Sequence, residues 1–289
     1  MEKGVRRTVF RTPHGEMQYL CVWDEPSHSW HPMEFPVKSL EDIKLMTEFY
    51  EDVTIELDPA GLEKSKAEAK ELGQGTCTMN HINNSPFMFW VEFLAGIENS
   101  NFFLMDYPDE VEALLAAHHR NTVRRTELMC EHSVADVFLL TEDTSTTMIS
   151  PEQYRRYCAP ITDQYARIVN SADRNLVIHM CGHLKGLLPD LAKIPAQAFE
   201  AFTSPSLGNT TLLDGRSHCP NTCLIGGTNA VLWTKSGDEI IATLEHDLNE
   251  LPHHRGIVVT SGGVMPPMCK PETIQRVCEW VKQYPVRMD

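Results

Sequence analysis

At 289 residues, 42% of them apolar, the chain can bury a sizeable core, and its length suits one large α/β barrel or two smaller domains. A formal charge of −15, from 25 basic and 40 acidic residues, argues against a nucleic-acid or anionic-membrane binder, whose footprint is basic. Nine cysteines, an odd number scattered along a chain with no secretory leader and no window of ~18 apolar residues, point to reduced thiols in a cytoplasmic protein rather than to a disulfide framework.

Two β-like runs, residues 8–11 and 18–23, flank Thr12-Pro-His-Gly15, whose Pro and Gly mark a hairpin turn. Ser39-Leu-Glu-Asp42 has capping-box spacing and opens a helix towards Tyr50. A short strand is predicted over 53–57, a helix over 59–72 ended by Gly73, a strand over 75–82, and an apolar helix over 87–96 started by Ser85-Pro86. Asp106-Tyr-Pro108 breaks one helical piece and restarts another that runs to about His132, with acids at its front.

Beyond it, strands over 136–140, 175–180, 198–202, 222–225 and 256–260 alternate with helices over 150–172, 184–193, 210–217, 237–251 and 271–284. Apolar strands alternating with helices predict an α/β protein with a parallel sheet, and the number of units favours a (β/α)8 TIM-type barrel. One strand is short or absent near the amino end, so the barrel is expected to be irregular or incomplete there. Residues 1–289 are read as one domain.

Barrel enzymes build their site from the loops that follow the strands. The run 75–82 carries His81 and leads into Asn83, Asn84 and Ser85; the run 136–140 delivers Thr141-Glu-Asp-Thr144. The strand 175–180 carries His179 and is followed by Cys181, and a neutral imidazole beside a thiolate is a donor pair that Zn²⁺ favours. Glu200 sits in Phe199-Glu-Ala-Phe202, where an ionised carboxylate is costly unless paired or metal-bound; the other reading is an outward Glu at a strand edge. Later strands lead into Gly226-Gly-Thr-Asn229 and Ser261-Gly-Gly263, with Cys269 beyond, and neither Gly pair makes a nucleotide fingerprint.

Glu142 and Asp143 could bind a cation, act as general acid or base, or orient a substrate. An acidic helix cap is the alternative, but Ser150 already fills that place. His218-Cys219-x3-Cys223 precedes its strand, which puts it at the amino end, where stability rather than catalysis resides. The pairs His118-His119 and His253-His254 read as solvated surface groups.

The order and spacing of several short stretches resemble the uroporphyrinogen decarboxylase superfamily, and within it the corrinoid-dependent methyltransferases. They are Pro36-Val-Lys-Ser-Leu-Glu-Asp42, Ser85-Pro-Phe87, Ala95-Gly-Ile-Glu98, Asp106-Tyr-Pro-Asp-Glu110, Glu142-Asp143, Ile149-Ser-Pro-Glu152, Val177-Ile-His-Met-Cys-Gly182, Gly226-Gly227 and Pro271-Glu-Thr-Ile274. The resemblance implies a (β/α)8 barrel. His-x-Cys-Gly is similar to the zinc motif of the methyltransferase branch and of cobalamin-independent methionine synthase, where a Glu on the following strand and a second Cys in the last strand's loop complete the set. That implies Zn²⁺ on His179, Cys181 and Glu200. Gly263 stands where the second Cys is expected, which leaves Cys269 as the candidate for the fourth place.

By the same resemblance, a thiol held as thiolate by the metal would attack a methyl group on the corrinoid (cobalamin) of a separate partner protein. The methyl would pass between that partner and a small thiol or pterin acceptor. Glu142 and Asp143 are the implied catalytic pair that orients the acceptor, and His81, Asn84 and Phe87 the implied pocket lining. A homodimer is compatible with this reading, and neither nucleic acid nor membrane is expected as a partner. The Arg-rich substrate motif of the decarboxylases is not found at the amino end, which turns expectation away from porphyrin decarboxylation. A metal-free decarboxylase or lyase, and a non-catalytic tetrapyrrole- or corrinoid-binding module, stand as the alternatives.

Overall fold

The computed structural model describes residues 4–288. Two compact units are present, one running up to Asp136 and including Ser171–Arg174, the other made of Val137–Asn170 and the chain from Asn175 onward.

The first unit opens with an antiparallel meander, β1 (Val5–Thr12), β2 (Gly15–Asp24) and β3 (Ser29–Glu34), in that spatial order. Thr12 pairs with Gly15 across the expected hairpin, and the Thr12 hydroxyl accepts from the His14 amide at 3.1 Å. Strand β3 was not foreseen: Pro32 removes a ladder donor and hides the run, yet is tolerated because β3 is an edge. Ser39 caps α1 (Leu40–Asp52) by accepting from the Asp42 amide, and α1 buries Ile43, Leu45 and Met46. Residues 53–57 are no strand, contrary to the sequence reading; Val53 is extended but the run pairs with nothing in a ladder. Asp58 caps α2 (Pro59–Leu72), which ends at Gly73 with φ 69° and buries none of its residues.

Strand β4 (Met79–Asn83) starts later than the spacing predicts. Ser85 then caps α3 (Pro86–Phe89), which runs into a π-helical turn at Trp90–Leu94 before α4 (Ile97–Asp106) and α5 (Pro108–His132). His118 is not a solvated surface group: it is 4% exposed within α5, between the rings of Tyr50 and Phe89.

The second unit carries five consecutive parallel strands, β5 (Val137–Thr141), β6 (Asn175–His179), β7 (Ala198–Phe202), β8 (Cys223–Gly226) and β9 (Ile257–Val259). Both faces are covered, as a parallel sheet requires. Phe138, Leu140, Leu176, Ile178 and Phe199 are wholly buried on one; Leu139, Val177 and Ala198 pack together on the other. The register aligns Leu139, Val177, Ala198 and Cys223 in one row and Thr141, His179, Glu200 and Ile225 in the row two residues on. Side chains alternate between faces along a strand, so the second row is the polar carboxyl-end layer of the face that holds Leu139 and Val177.

Helices follow these strands. Ser150 makes a capping box with Gln153 at α6 (Pro151–Gln153), which continues through a π-helical turn at Tyr154–Cys158 into α7 (Ala159–Ser171). The helix expected over 184–193 is only α8 (Leu188–Leu191), because Gly186 and Pro189 interrupt it, although Leu184, Leu187, Leu188 and Leu191 are all fully buried. Thr211 and Ser236 make capping boxes at α9 (Leu212–His218) and α10 (Gly237–Glu250), and α11 (Pro271–Gln283) closes the unit. His254 is also buried, not solvated: its Nε2 faces the Leu248 carbonyl at 3.0 Å and its Nδ1 accepts from the Arg287 amide at 3.0 Å.

Candidate metal centre

The loop after β5 is wound back over the end of β6. Both the Glu142 and Asp143 amides donate to the His179 carbonyl, at 3.0 and 3.1 Å. To do so Asp143 takes a left-handed backbone, φ 47°, uncommon for a residue with a Cβ though Asp tolerates it better than most. Its side chain then faces the imidazole: Asp143 Oδ1 lies 2.8 Å from His179 Nε2. Two residues past His179, the Cys181 thiol donates to the same Oδ1 at 3.4 Å.

The two loops are tied to each other. Ser145 Oγ accepts from the His183 amide at 3.0 Å, and the Thr146 amide and hydroxyl both donate to the His183 carbonyl at 3.0 Å. Gly182, φ 86°, passes so close that a Cβ there would sit 2.8 Å from Ser145 Oγ. Only glycine fits this crossing.

The opposite edge of the His179 ring belongs to Glu200, whose Oε2 meets Nδ1. A bulge in β7 arranges this: the register shifts between Glu200 and Phe202, with Ala201 at φ 62° between them. Phe202 thereby stays buried with Phe199, their ring centroids 6.3 Å apart, while Glu200 keeps its place beside His179. Burial opposes a charge on His179, but hydrogen bonds to Asp143, Cys181 and Glu200 outweigh it and push the imidazolium pKa up to about 12.

Asp143, His179 and Cys181 each offer a ligand atom within 4.8 Å of the other two, the one such trio of His, Cys, Asp and Glu among the described residues. All three are half-buried. Oxygen, imidazole nitrogen and sulfur are a donor set that fits Zn²⁺, with three protein ligands and a fourth position left for a small molecule, the pattern of catalytic rather than structural zinc. The same imidazole, with an acidic oxygen at each nitrogen, holds a proton when no cation replaces it.

The other predicted residues are not members of that trio. Cys269 packs against the cluster of Trp233, Ile240, Leu244 and Val277, with its thiol 3.8 Å from the Lys270 carbonyl, and the structure does not bring it to the trio. Gly263, φ 143°, borders open space, with nothing within 4 Å of where a Cβ would stand. Glu142 is fully buried, and its charge, after burial itself, helps raise the Tyr154 hydroxyl pKa well above its ordinary value. In the other unit His81 is exposed, Phe87 is buried, and Asn84 donates to Glu92 at 3.2 Å.

His218, Cys219 and Cys223 form no donor trio. Buried Arg216 instead spans the carbonyls of Cys219, Pro220 and Thr222 through Nη1 and that of Arg255 through Nη2, a scaffold role. Sequence reasoning missed Ser145 and the crossing at Gly182; the Gly that follows Cys181 is the one signal that pointed there.

A family model described as Uroporphyrinogen decarboxylase (URO-D) matches residues 59–284. No curated protein matches the chain by sequence. Among solved structures, a methyltransferase from Methanosarcina mazei is similar, with a TM-score of 0.65 and 16% identity over 91% of this chain and 74% of that one. At that identity the likeness is one of fold.

Proposed function

Because the chain belongs to the uroporphyrinogen decarboxylase family, whose fold is a (β/α)8 barrel, we propose that it is a zinc-dependent methyltransferase working from the carboxyl ends of β5 and β6. It would pass a methyl group between the corrinoid of a partner protein and a small thiol or pterin. The observation that carries this reading is the trio Asp143, His179 and Cys181. The likeness of fold to a methyltransferase is compatible with it.

Zn²⁺ on these donors would supply a Lewis acid that keeps a sulfur ligand deprotonated at neutral pH. The chain's own residues prepare for it. Asp143 Oδ1 accepts a hydrogen bond from the Cys181 thiol at 3.4 Å, which holds the sulfur and the carboxylate side by side. His179 would hold the cation through one ring nitrogen while the other stays hydrogen-bonded to a carboxylate. The tie between Ser145 and His183 keeps the Cys181 loop against the Asp143 loop. Within the family, metal-free decarboxylation or lyase chemistry is the second reading, favoured by the carboxylate oxygens of Asp143 and Glu200 that meet the two ring nitrogens of His179.

Metal analysis of the purified protein and of Cys181→Ala separates the two. The methyltransferase reading expects zinc near one per chain in the wild type, little in the variant, and thiol-dependent loss of the methylcobalamin spectrum that only the wild type supports. Equal, negligible zinc in both proteins removes it.

A further inference from the structure

His179 is gripped from opposite edges of its ring. On one edge Nε2 lies 2.8 Å from Asp143 Oδ1, itself 3.4 Å from Cys181 Sγ. On the other, Nδ1 meets Glu200 Oε2. A divalent ion binds an imidazole nitrogen in the ring plane at roughly 2.0–2.1 Å, so it occupies one edge and not both. Only the Nε2 edge has a thiol and a carboxylate gathered within 4.8 Å of one another, and Glu200 is not part of that group.

Resting on the zinc reading above, we infer that Asp143 supplies the carboxylate ligand and that Glu200 is a positioning residue, not a ligand. Glu200 accepts the Nδ1 proton of His179, which fixes the tautomer with the Nε2 lone pair towards Asp143 and Cys181. The backbone supports this division. Glu200 is the register partner of His179, and the Met180 amide donates to the Glu200 carbonyl at 2.9 Å, so the two side chains are held abreast on adjacent strands. Asp143 comes from the far side, carried over the end of β6 by its left-handed turn. This departs from the set the family resemblance implies, in which the glutamate itself ligates. It also explains how a site can form with Gly263 in place of a second cysteine and Cys269 turned into an apolar cluster: the donor that makes up the number comes from the loop after β5.

The test uses Co²⁺ as a spectroscopic stand-in on the full-length protein freed of metal by chelation. Glu200→Gln keeps an acceptor for Nδ1–H and alters no ligand, so its visible d–d bands should superimpose on the wild type's, with affinity within about tenfold. Glu200→Ala should keep the band positions and bind about 10- to 100-fold more weakly, the usual cost of an outer-shell partner. Asp143→Ala should change band positions and intensities and weaken binding by more than 100-fold; Asp143→Asn, of equal volume, stands in if the alanine variant fails to fold. The inference is overturned if Glu200→Gln alters the bands while Asp143→Ala leaves them as they were. A wild type that binds neither Co²⁺ nor Zn²⁺ takes down the zinc reading itself, an outcome distinct from the reversed pattern.

Discussion

His118 makes the folded protein acid-sensitive in a way that can be calculated. Its ring is 4% exposed, with the Tyr50 and Phe89 ring centroids 4.7 and 4.8 Å away and no hydrogen-bond partner at Nδ1. Burial, with smaller contributions from the charges of Arg125 and His119, pushes its pKa down from 6.5 to about 4. The folded form is therefore neutral over a range in which the unfolded chain takes up a proton, and stability is lost as pH falls from 6.5 towards 4. At roughly 1.4 kcal/mol per pH unit that interval is worth about 3 kcal/mol, of which about 2 kcal/mol is already lost at pH ~5. Because the ring is nearly inaccessible, solvent screening takes little from this figure. Urea unfolding followed by tryptophan fluorescence, at pH ~8 and ~5, should show this loss in the wild type and about 2 kcal/mol less of it in His118→Leu. An identical acid loss in the variant would refute the assignment to His118.

Two further substitutions probe the scaffold. Gly182→Ala should cost about 1–3 kcal/mol through its φ of 86° and the 2.8 Å approach of the new Cβ to Ser145 Oγ. It should also lower bound zinc although every donor atom remains; wild-type melting temperature and metal content together would contradict the crossing described above. Arg216→Met removes the guanidinium donor from the Cys219, Pro220, Thr222 and Arg255 carbonyls, leaving that of Cys219 only the Thr222 amide at 3.4 Å, and a loss of about 3 kcal/mol or more is expected in denaturant titration. A loss under ~1 kcal/mol would mean that water replaces the guanidinium there.

Much of the second unit could be read before any coordinates, because its signals are local and strong. The capping residue Ser150, prolines at helix starts and apolar strands such as 137–140 each mark an element by themselves. The unit's least legible element, the helix around 184–193, has an apolar face that is real and buried, but periodicity outvoted two breakers within it. In the first unit, β3 hid behind Pro32 and the run 53–57 looked like a strand for want of a way to see whether it had a ladder partner.

At the site, His179, Cys181 and Asp143 were all visible as polar groups after strands. Which nitrogen of His179 faces which carboxylate was not visible. It depends on a left-handed residue at 143 and on the bulge at 201, and backbone turns of that kind leave no mark in residue type when the residues are Asp and Ala. The two buried histidines were misjudged for a related reason: His118 and His254 sit in polar stretches, and only tertiary packing decides that one ring of each pair turns inward.

The fastening of the 143 loop to the 181 loop, through Ser145 and the amide and carbonyl of His183, bears on how quickly the centre would exchange its cation. Chelation ordinarily has to recruit wandering donors, and the entropy of gathering them is charged to the binding step. Here the gathering is finished when the chain folds, so capture is slowed chiefly by stripping water and expelling protons, and the occupied and empty proteins should differ little in backbone hydrogen exchange around these loops.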